Sequence, residues 1–191
     1  TIGGSDHGTK VTVVNSTIKA GKAGYAIISF VKSEILVENS SVYGYAALYL
    51  KAGSDESVVN FNGSVIETKG YDNEIFGTFV IEDVSGATVT TDEATTINAG
   101  TYVVYFSTYQ NAVSTNNTAN IAGTINATKA VKGYANGSTV ATTNEEFAEL
   151  LNSEGYVVEV IDGLYTVTGY AVATVNGKGY ATFAEAYAAA V

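Results

Sequence analysis

The chain has 191 residues, of which 46% are hydrophobic and 15% charged, and it carries a net charge of −10. That is enough apolar material for a substantial core and excludes a disordered chain. The acidic balance, with 9 basic residues (all Lys) against 19 Asp and Glu, argues against nucleic acid and anionic membrane surfaces as partners, because both demand a basic patch.

Cys, Met, Pro, Trp and Arg are all missing. Without Cys there are no disulfides, no thiolate metal sites and no thiol nucleophiles, a pattern compatible with a bacterial cell surface. Apolar runs such as Tyr102-Val103-Val104-Tyr105-Phe106 are far too short to span a bilayer, so no membrane insertion is expected. With no Met, Thr1 is not expected to be a natural start, and the chain is read as a mature form or a piece of something longer.

Residues 10 to about 130 read as β structure built on a repeat. Val13-Val14-Asn15-Ser16-Thr17-Ile18 returns as Val37-Glu38-Asn39-Ser40-Ser41-Val42 and as Asn60-Phe61-Asn62-Gly63-Ser64-Val65. Between these lie Gly24-Tyr25, Gly44-Tyr45 and Gly70-Tyr71. Short β-rich blocks with a period in the low twenties are the mark of a solenoid. The distance from each Asn to the next Gly-Tyr varies, as expected for a fixed cross-section with turns of free length. Asn15, Asn39 and Asn62 are expected to stack as a side-chain ladder, each amide bonded to its neighbours above and below. Val84 to Val89 and Ile121 to Ile125 read as later copies of the same turn, Thr95 to Phe106 as a strand, and Ser107 to Asn120 as a long polar loop. About five coils result.

After Lys132 the character changes. Thr143-Asn144-Glu145-Glu146 opens a helix, with Thr143 and Glu146 in capping-box spacing and Asn144 as the alternative N-cap. Phe147, Leu150 and Leu151 form its apolar stripe, and Gly155 is placed to end it. Two strands then flank Asp162-Gly163, a hairpin turn. This helix and hairpin would cover an end of the solenoid whose strand edges would otherwise be bare. A second hairpin at Asn176-Gly177 leads to a helix at Thr182-Phe183-Ala184-Glu185, with Phe183, Tyr187 and Val191 in line.

The expected organisation is therefore all-β: a right-handed parallel β-helix over 1–132, a C-terminal α/β cap over 133–170, and the start of a following module over 171–191. The coils resemble the parallel β-helices of the pectate-lyase-like superfamily. Glu154 to Val158 with Asp162 to Val167 resembles the closing segment of β-helix modules in large surface proteins of gut bacteria. Val172 to Gly177 with Tyr180 to Ala186 resembles the opening helix of the next such module. The resemblance implies a repeat module of a secreted or cell-surface bacterial protein, continuous with further modules of the same polypeptide.

The resemblance does not bring catalytic machinery with it. Lyases of that superfamily use an Arg base and calcium-binding acids, and this chain has no Arg. Its hydrolases use clustered Asp with Gly-His-Gly, whereas the single His lies in Ser5-Asp6-His7-Gly8, away from any Asp pair. Asp55-Glu56 and Asp92-Glu93 are adjacent pairs, which face opposite sides of a strand or lie solvated in a turn. Six Asn-x-Ser/Thr sequons occur, at Asn15, Asn39, Asn62, Asn116, Asn126 and Asn136; three of them coincide with the repeat itself, so turn chemistry explains them more simply than glycosylation. Asp72, Asn73 and Glu74 offer hard oxygens of the type calcium takes, without a complete calcium-loop signature; no other cofactor is indicated. With 14 residues, Tyr is the richest binding chemistry, since its flat face and polar tip suit sugar rings and protein contacts. Tyr25, Tyr45 and Tyr71 are expected as a stripe up one face. The function that follows is a non-enzymatic, adhesin-like module or spacer whose partner is a glycan or a host or bacterial surface protein. The alternative is a fragment of a polysaccharide lyase or hydrolase whose catalytic coils lie elsewhere.

Overall fold

The computed structural model describes residues 8–21, 24–69, 77–108, 114–134 and 137–190. The chain winds through five coils, each contributing one strand to each of three sheets. The coils are β1 (Thr9–Val14), β2 (Thr17–Lys19) and β3 (Ile27–Ser29); β4 (Ser33–Glu38), β5 (Ser41–Gly44) and β6 (Leu48–Leu50); β7 (Val58–Asn62), β8 (Val65–Thr68) and β9 (Gly77–Glu82); β10 (Thr88–Thr91), β11 (Thr96–Asn98) and β12 (Tyr102–Ser107); and β13 (Thr118–Ile121), β14 (Thr124–Asn126) and β15 (Lys129–Lys132). All pairings between coils are parallel. The expected parallel β-solenoid of about five coils is therefore what forms.

Stacking at ~4.8 Å piles like residues into rows. Inside, the second sheet presents Ile18, Val42, Ile66, Ile97 and Ile125 in register. The third presents Ile27, Leu48, Phe79, Val104 and Val131. The first brings Val13, Val37 and Phe61 into line. Phe61 and Phe79 meet across the core of the third coil with ring centroids 5.3 Å apart.

The corners are held by polar ladders, and here the structure departs from the expected Asn stack. Register places Glu38 opposite Asn62, and the Asn39 N–H donates to the Asn62 carbonyl. Gly63, not Asn62, therefore occupies the place of Asn15 and Asn39. All three adopt left-handed backbone, with φ of 49°, 47° and 55° for Asn15, Asn39 and Gly63, which is why Asn and Gly recur there. Asn15 and Asn39 are exposed. The ladder is carried one residue on: the Ser16 N–H donates to Ser40 Oγ, Ser40 N–H to Ser64 Oγ, and Ser64 N–H to Thr95 Oγ1. A second ladder precedes the first sheet, where Ser33 N–H donates to Ser57 Oγ, Ala87 N–H to Asn117 Oδ1, and Asn117 N–H to Ser138 Oγ. The later segments grouped in the sequence as one turn separate in space. Gly86 precedes β10 at this second corner, whereas Gly123 follows β13 at the other. The polar stretch after Ser107 leads into β13 at Thr118.

Parallel stacking continues past Lys132 into β16 (Thr139–Thr142), which pairs with β13. The Asn144 alternative sets the start of α1 (Glu145–Ser153), its Oδ1 accepting the Phe147 N–H. Phe147, Ala148 and Leu151 join the core at the end of the stack, and Gly155 at φ 88° ends the helix. β17 (Tyr156–Ile161) and β18 (Leu164–Tyr170) turn at Asp162-Gly163 with both φ positive, and β18 runs antiparallel to β16. The Glu154 carboxylate accepts the N–H groups of Ala130 and Val131 at 2.7 and 3.1 Å, satisfying donors on the last strand of the third sheet. Burial raises the pKa of that carboxyl, and the two N–H bonds only partly offset it. Tyr134, Tyr156 and Tyr170 pack together at this end, with centroids 5.2–5.9 Å apart. A final hairpin, β19 (Ala173–Val175) and β20 (Lys178–Tyr180), precedes α2 (Phe183–Ala190). Gly179 sits so near β17 that a Cβ there would lie 2.3 Å from the Tyr156 carbonyl oxygen. No helix among the described residues is long and apolar enough to cross a membrane.

Candidate binding face

Of the tyrosines expected to form a stripe, Tyr25 and Tyr45 do not stack. The Ala26 and Ile27 N–H groups donate to the Ala46 and Ala47 carbonyls, so Ala46 stands opposite Tyr25. Tyr45 donates its N–H to Gly24 and lines a groove of about 650 Å³ with Lys19, Tyr43, Glu67 and Lys69. The turn from the second sheet to the third is long in the first coil and short in the second, so the Gly-Tyr pair slides in phase. Gly44 makes the short turn feasible, since a Cβ there would be 2.7 Å from the Ala46 carbonyl oxygen. Tyr71 and the calcium candidates Asp72, Asn73 and Glu74 lie outside the described residues, as does His7.

The partner of Tyr25 is instead Tyr49, edge-on at 4.6 Å and 82°. Tyr49 belongs to a row on the outer side of the third sheet: Ile28, Tyr49, Val80, Tyr105 and Lys132, in register over five strands. Tyr102 and Lys129 form a shorter row beside it. Ala46, Tyr49 and Val80 are buried there, with Tyr25, Ile28 and Tyr105 packed around them, so this outer face has a small apolar core of its own. Cations sit on its rings. Lys51 Nζ lies 5.1 Å from the Tyr49 centroid, Lys129 Nζ 5.2 Å from Tyr102, and Lys132 Nζ 5.2 Å from Tyr105.

One carboxylate is set into this face. Glu82 is only 7% exposed. It accepts from the Tyr49 hydroxyl, lies 3.3 Å from Lys51 Nζ and receives the Ser107 hydroxyl at 3.5 Å. Burial, and then the bond to Glu82, push the Tyr49 phenol well above its ordinary range. Tyr49 therefore stays protonated and acts as a donor, never as a base. Glu82 braces the Tyr49 ring and balances Lys51.

The acidic pairs singled out in the sequence are turn braces. Asp55 accepts the Ser85 N–H, Glu56 pairs with Lys32, and Glu93 accepts the Thr143 hydroxyl. Asp92 accepts the Gly63 N–H and the Thr95 hydroxyl. Burial alone would raise the Asp92 pKa, but these bonds hold it below the usual carboxylate range. Its stabilising contribution is complete above the unfolded value of ~3.9 and is lost as pH falls through the lowered native value. Asp92→Asn should therefore flatten the acid limb of a stability–pH curve taken by urea unfolding between about pH 2 and 5; an unchanged limb would refute the assignment. Among the described residues no three of His, Cys, Asp and Glu gather as a metal site.

No protein-family model, curated protein or solved structure matches this chain. The parallel β-solenoid rests on strand order and register alone.

Sequence reasoning missed Tyr49, Lys51, Glu82, Tyr102, Tyr105, Lys129 and Lys132. A signal for some of them was present: alternation in Leu48-Tyr49-Leu50-Lys51 places Tyr49 and Lys51 on the side opposite the core.

Proposed function

We propose that this chain is a non-catalytic repeat module of a secreted or surface-exposed bacterial protein, within the pectate-lyase-like group of β-helices, and that it binds glycan on the outer face of its third sheet. The observation that carries the reading is the outer aromatic face braced from within, where Tyr25 and Tyr105 pack against a small core of Ala46, Tyr49 and Val80 while Lys51 lies over the Tyr49 ring and Lys132 over the Tyr105 ring. Flat rings with polar tips, held rigid by a sheet, suit sugar faces, and flanking ammonium groups suit their oxygens. The commitment of the acidic side chains to turns and ion pairs favours binding over hydrolysis.

The test is a glycan array followed by calorimetry on the ligands found. Tyr105→Ala and Tyr25→Ala should each weaken binding about two- to twelvefold, as expected for loss of an aromatic contact worth about 0.5–1.5 kcal/mol. Tyr45→Ala should leave it unchanged. Release of oligosaccharides from a polysaccharide panel would instead establish the alternative, a fragment of a lyase or hydrolase. Equal losses from Tyr45→Ala and Tyr105→Ala would move the site off this face.

A further inference from the structure

Most lysines of this acidic chain are committed to a partner. Lys10, Lys32 and Lys51 are ion-paired with Glu34, Glu56 and Glu82. Lys129, Lys132 and Lys178 lie over tyrosine rings. Among the described residues two lysines, Lys19 and Lys69, have neither an acidic partner nor a ring beneath the ammonium. Both line the same groove, the one of about 650 Å³ that holds Tyr45. Two uncommitted ammonium groups in one cleft of a chain with net charge −10 mark a place for an anion.

The coils set these groups on one side. Lys19 ends β2 in register with Tyr43, and Tyr43 is in register with Glu67. Lys69 donates its N–H to the Gly44 carbonyl, which sets it beside Tyr45. Alternation turns all of them away from the inward Ile18, Val42 and Ile66. Lys19 belongs to the first coil and Lys69 follows β8 in the third, two spacings of ~4.8 Å on, and the two tyrosines of the second coil fill the interval. At Gly21 the wall is missing, since a Cβ there would meet nothing within 4 Å. Glu67 also lines the groove and is without an ion pair. A bare anion would meet its repulsion, whereas a ligand that also brings a hydroxyl to that carboxylate would not. The chain has no Arg, whose planar fork matches a carboxylate; two lysine ammoniums are compact charges that suit an oxyanion with oxygens pointing in several directions.

We propose that this groove binds a sugar carrying a sulfate or phosphate ester. Lys19 and Lys69 hold the ester oxygens from two sides, Tyr43 and Tyr45 offer their faces to the apolar side of the sugar ring, and Glu67 accepts a sugar hydroxyl. The volume falls in the range of small-ligand sites, roughly 300–1,000 Å³. This site is separate from the outer face of the third sheet and does not depend on what binds there.

Calorimetric titration of the whole chain with a galactose sulfate monoester and a glucose phosphate monoester tests it. At least one should bind saturably, the tighter of the two naming the ester. Galactose, glucuronate and inorganic sulfate or phosphate should each bind at least about tenfold more weakly. Lys19→Gln and Lys69→Gln change exposed side chains, so the fold should persist by circular dichroism while affinity falls at least about fivefold in each. Tyr45→Ala should weaken binding about two- to twelvefold. Gly21→Leu, at a backbone outside the left-handed region, should abolish it by filling the cleft. Tyr105→Ala should leave it unchanged, the reverse of the pattern for the third sheet, so failure at one site is distinguishable from failure at the other. No binding of either ester up to about 10 mM overturns the proposal. So does inorganic sulfate or phosphate binding as tightly as its ester, glucuronate binding as tightly as either, or full affinity in both lysine variants.

Discussion

Phe61→Ala should lower the unfolding free energy by about 3–5 kcal/mol, the usual loss for a fully buried aromatic. Phe61 is completely buried in the middle coil, and its ring meets Phe79 from the opposite sheet. Its in-register neighbours are Val37 on one side and Thr91 on the other. Neither can swing in to fill the void: Val37 is stiff at χ1, and the Thr91 hydroxyl is held by the Ala122 carbonyl. Coils in a solenoid touch only their neighbours, so the defect sits in the middle of the stack and weakens its coupling. Urea unfolding would show the loss, and amide exchange would show protection falling in the second to fourth coils before the cap. A loss under about 1 kcal/mol would mean that the core relaxes around the gap, contrary to its packing. Tyr187→Ala, at an exposed position, should by comparison stay within about 0.5 kcal/mol.

Much of this architecture was legible in the sequence because a solenoid writes its cross-section repeatedly. Val37-Glu38-Asn39-Ser40 and its relatives name the same corner in successive coils, and Asp162-Gly163 and Asn176-Gly177 name the hairpins through their positive φ. The register of the third block was not legible. Asn62 and Gly63 are both turn residues, and only hydrogen bonding shows that Gly63 takes the left-handed place. The role of the following serines was hidden for a related reason. A serine after an asparagine, such as Ser40, reads as a turn, whereas its Oγ in fact receives the N–H of Ser16 in the coil before it.

The candidate face was less legible, because it depends on which strands become neighbours. Tyr49, Val80 and Tyr105 are separated by long stretches of chain and share no motif. Only the equal pairing of β6, β9 and β12 brings them into one row. Gly24-Tyr25 and Gly44-Tyr45 share a motif but differ in loop length, and the structure sends them to different surfaces. Local similarity predicts position well within a strand and poorly across a turn of variable length.

Asn117 carries the second large effect. It is fully buried, and its side chain joins two backbone groups: Oδ1 accepts the Ala87 N–H at 2.9 Å and Nδ2 donates to the Val84 carbonyl at 2.8 Å. Asn117→Leu keeps roughly the volume and strands both, at about 1–3 kcal/mol each, so a total loss of about 2–6 kcal/mol is expected by urea unfolding. Asn117→Asp separates polarity from charge. As a neutral acid the new side chain can still accept from Ala87 and donate to Val84; as a carboxylate it faces the Val84 oxygen without a proton, in a site that excludes water. Its native pKa should therefore lie above the unfolded ~3.9. The native state then holds its proton more tightly than the unfolded state. Stability is greatest below the unfolded pKa and is lost as pH rises through the native one, the opposite sense to Asp92. The Asn117→Asp variant relative to the parent should thus be more destabilised at about pH 7 than at about pH 4. A difference independent of pH would show that the amide bonds, and with them this corner ladder, do not hold the coils together.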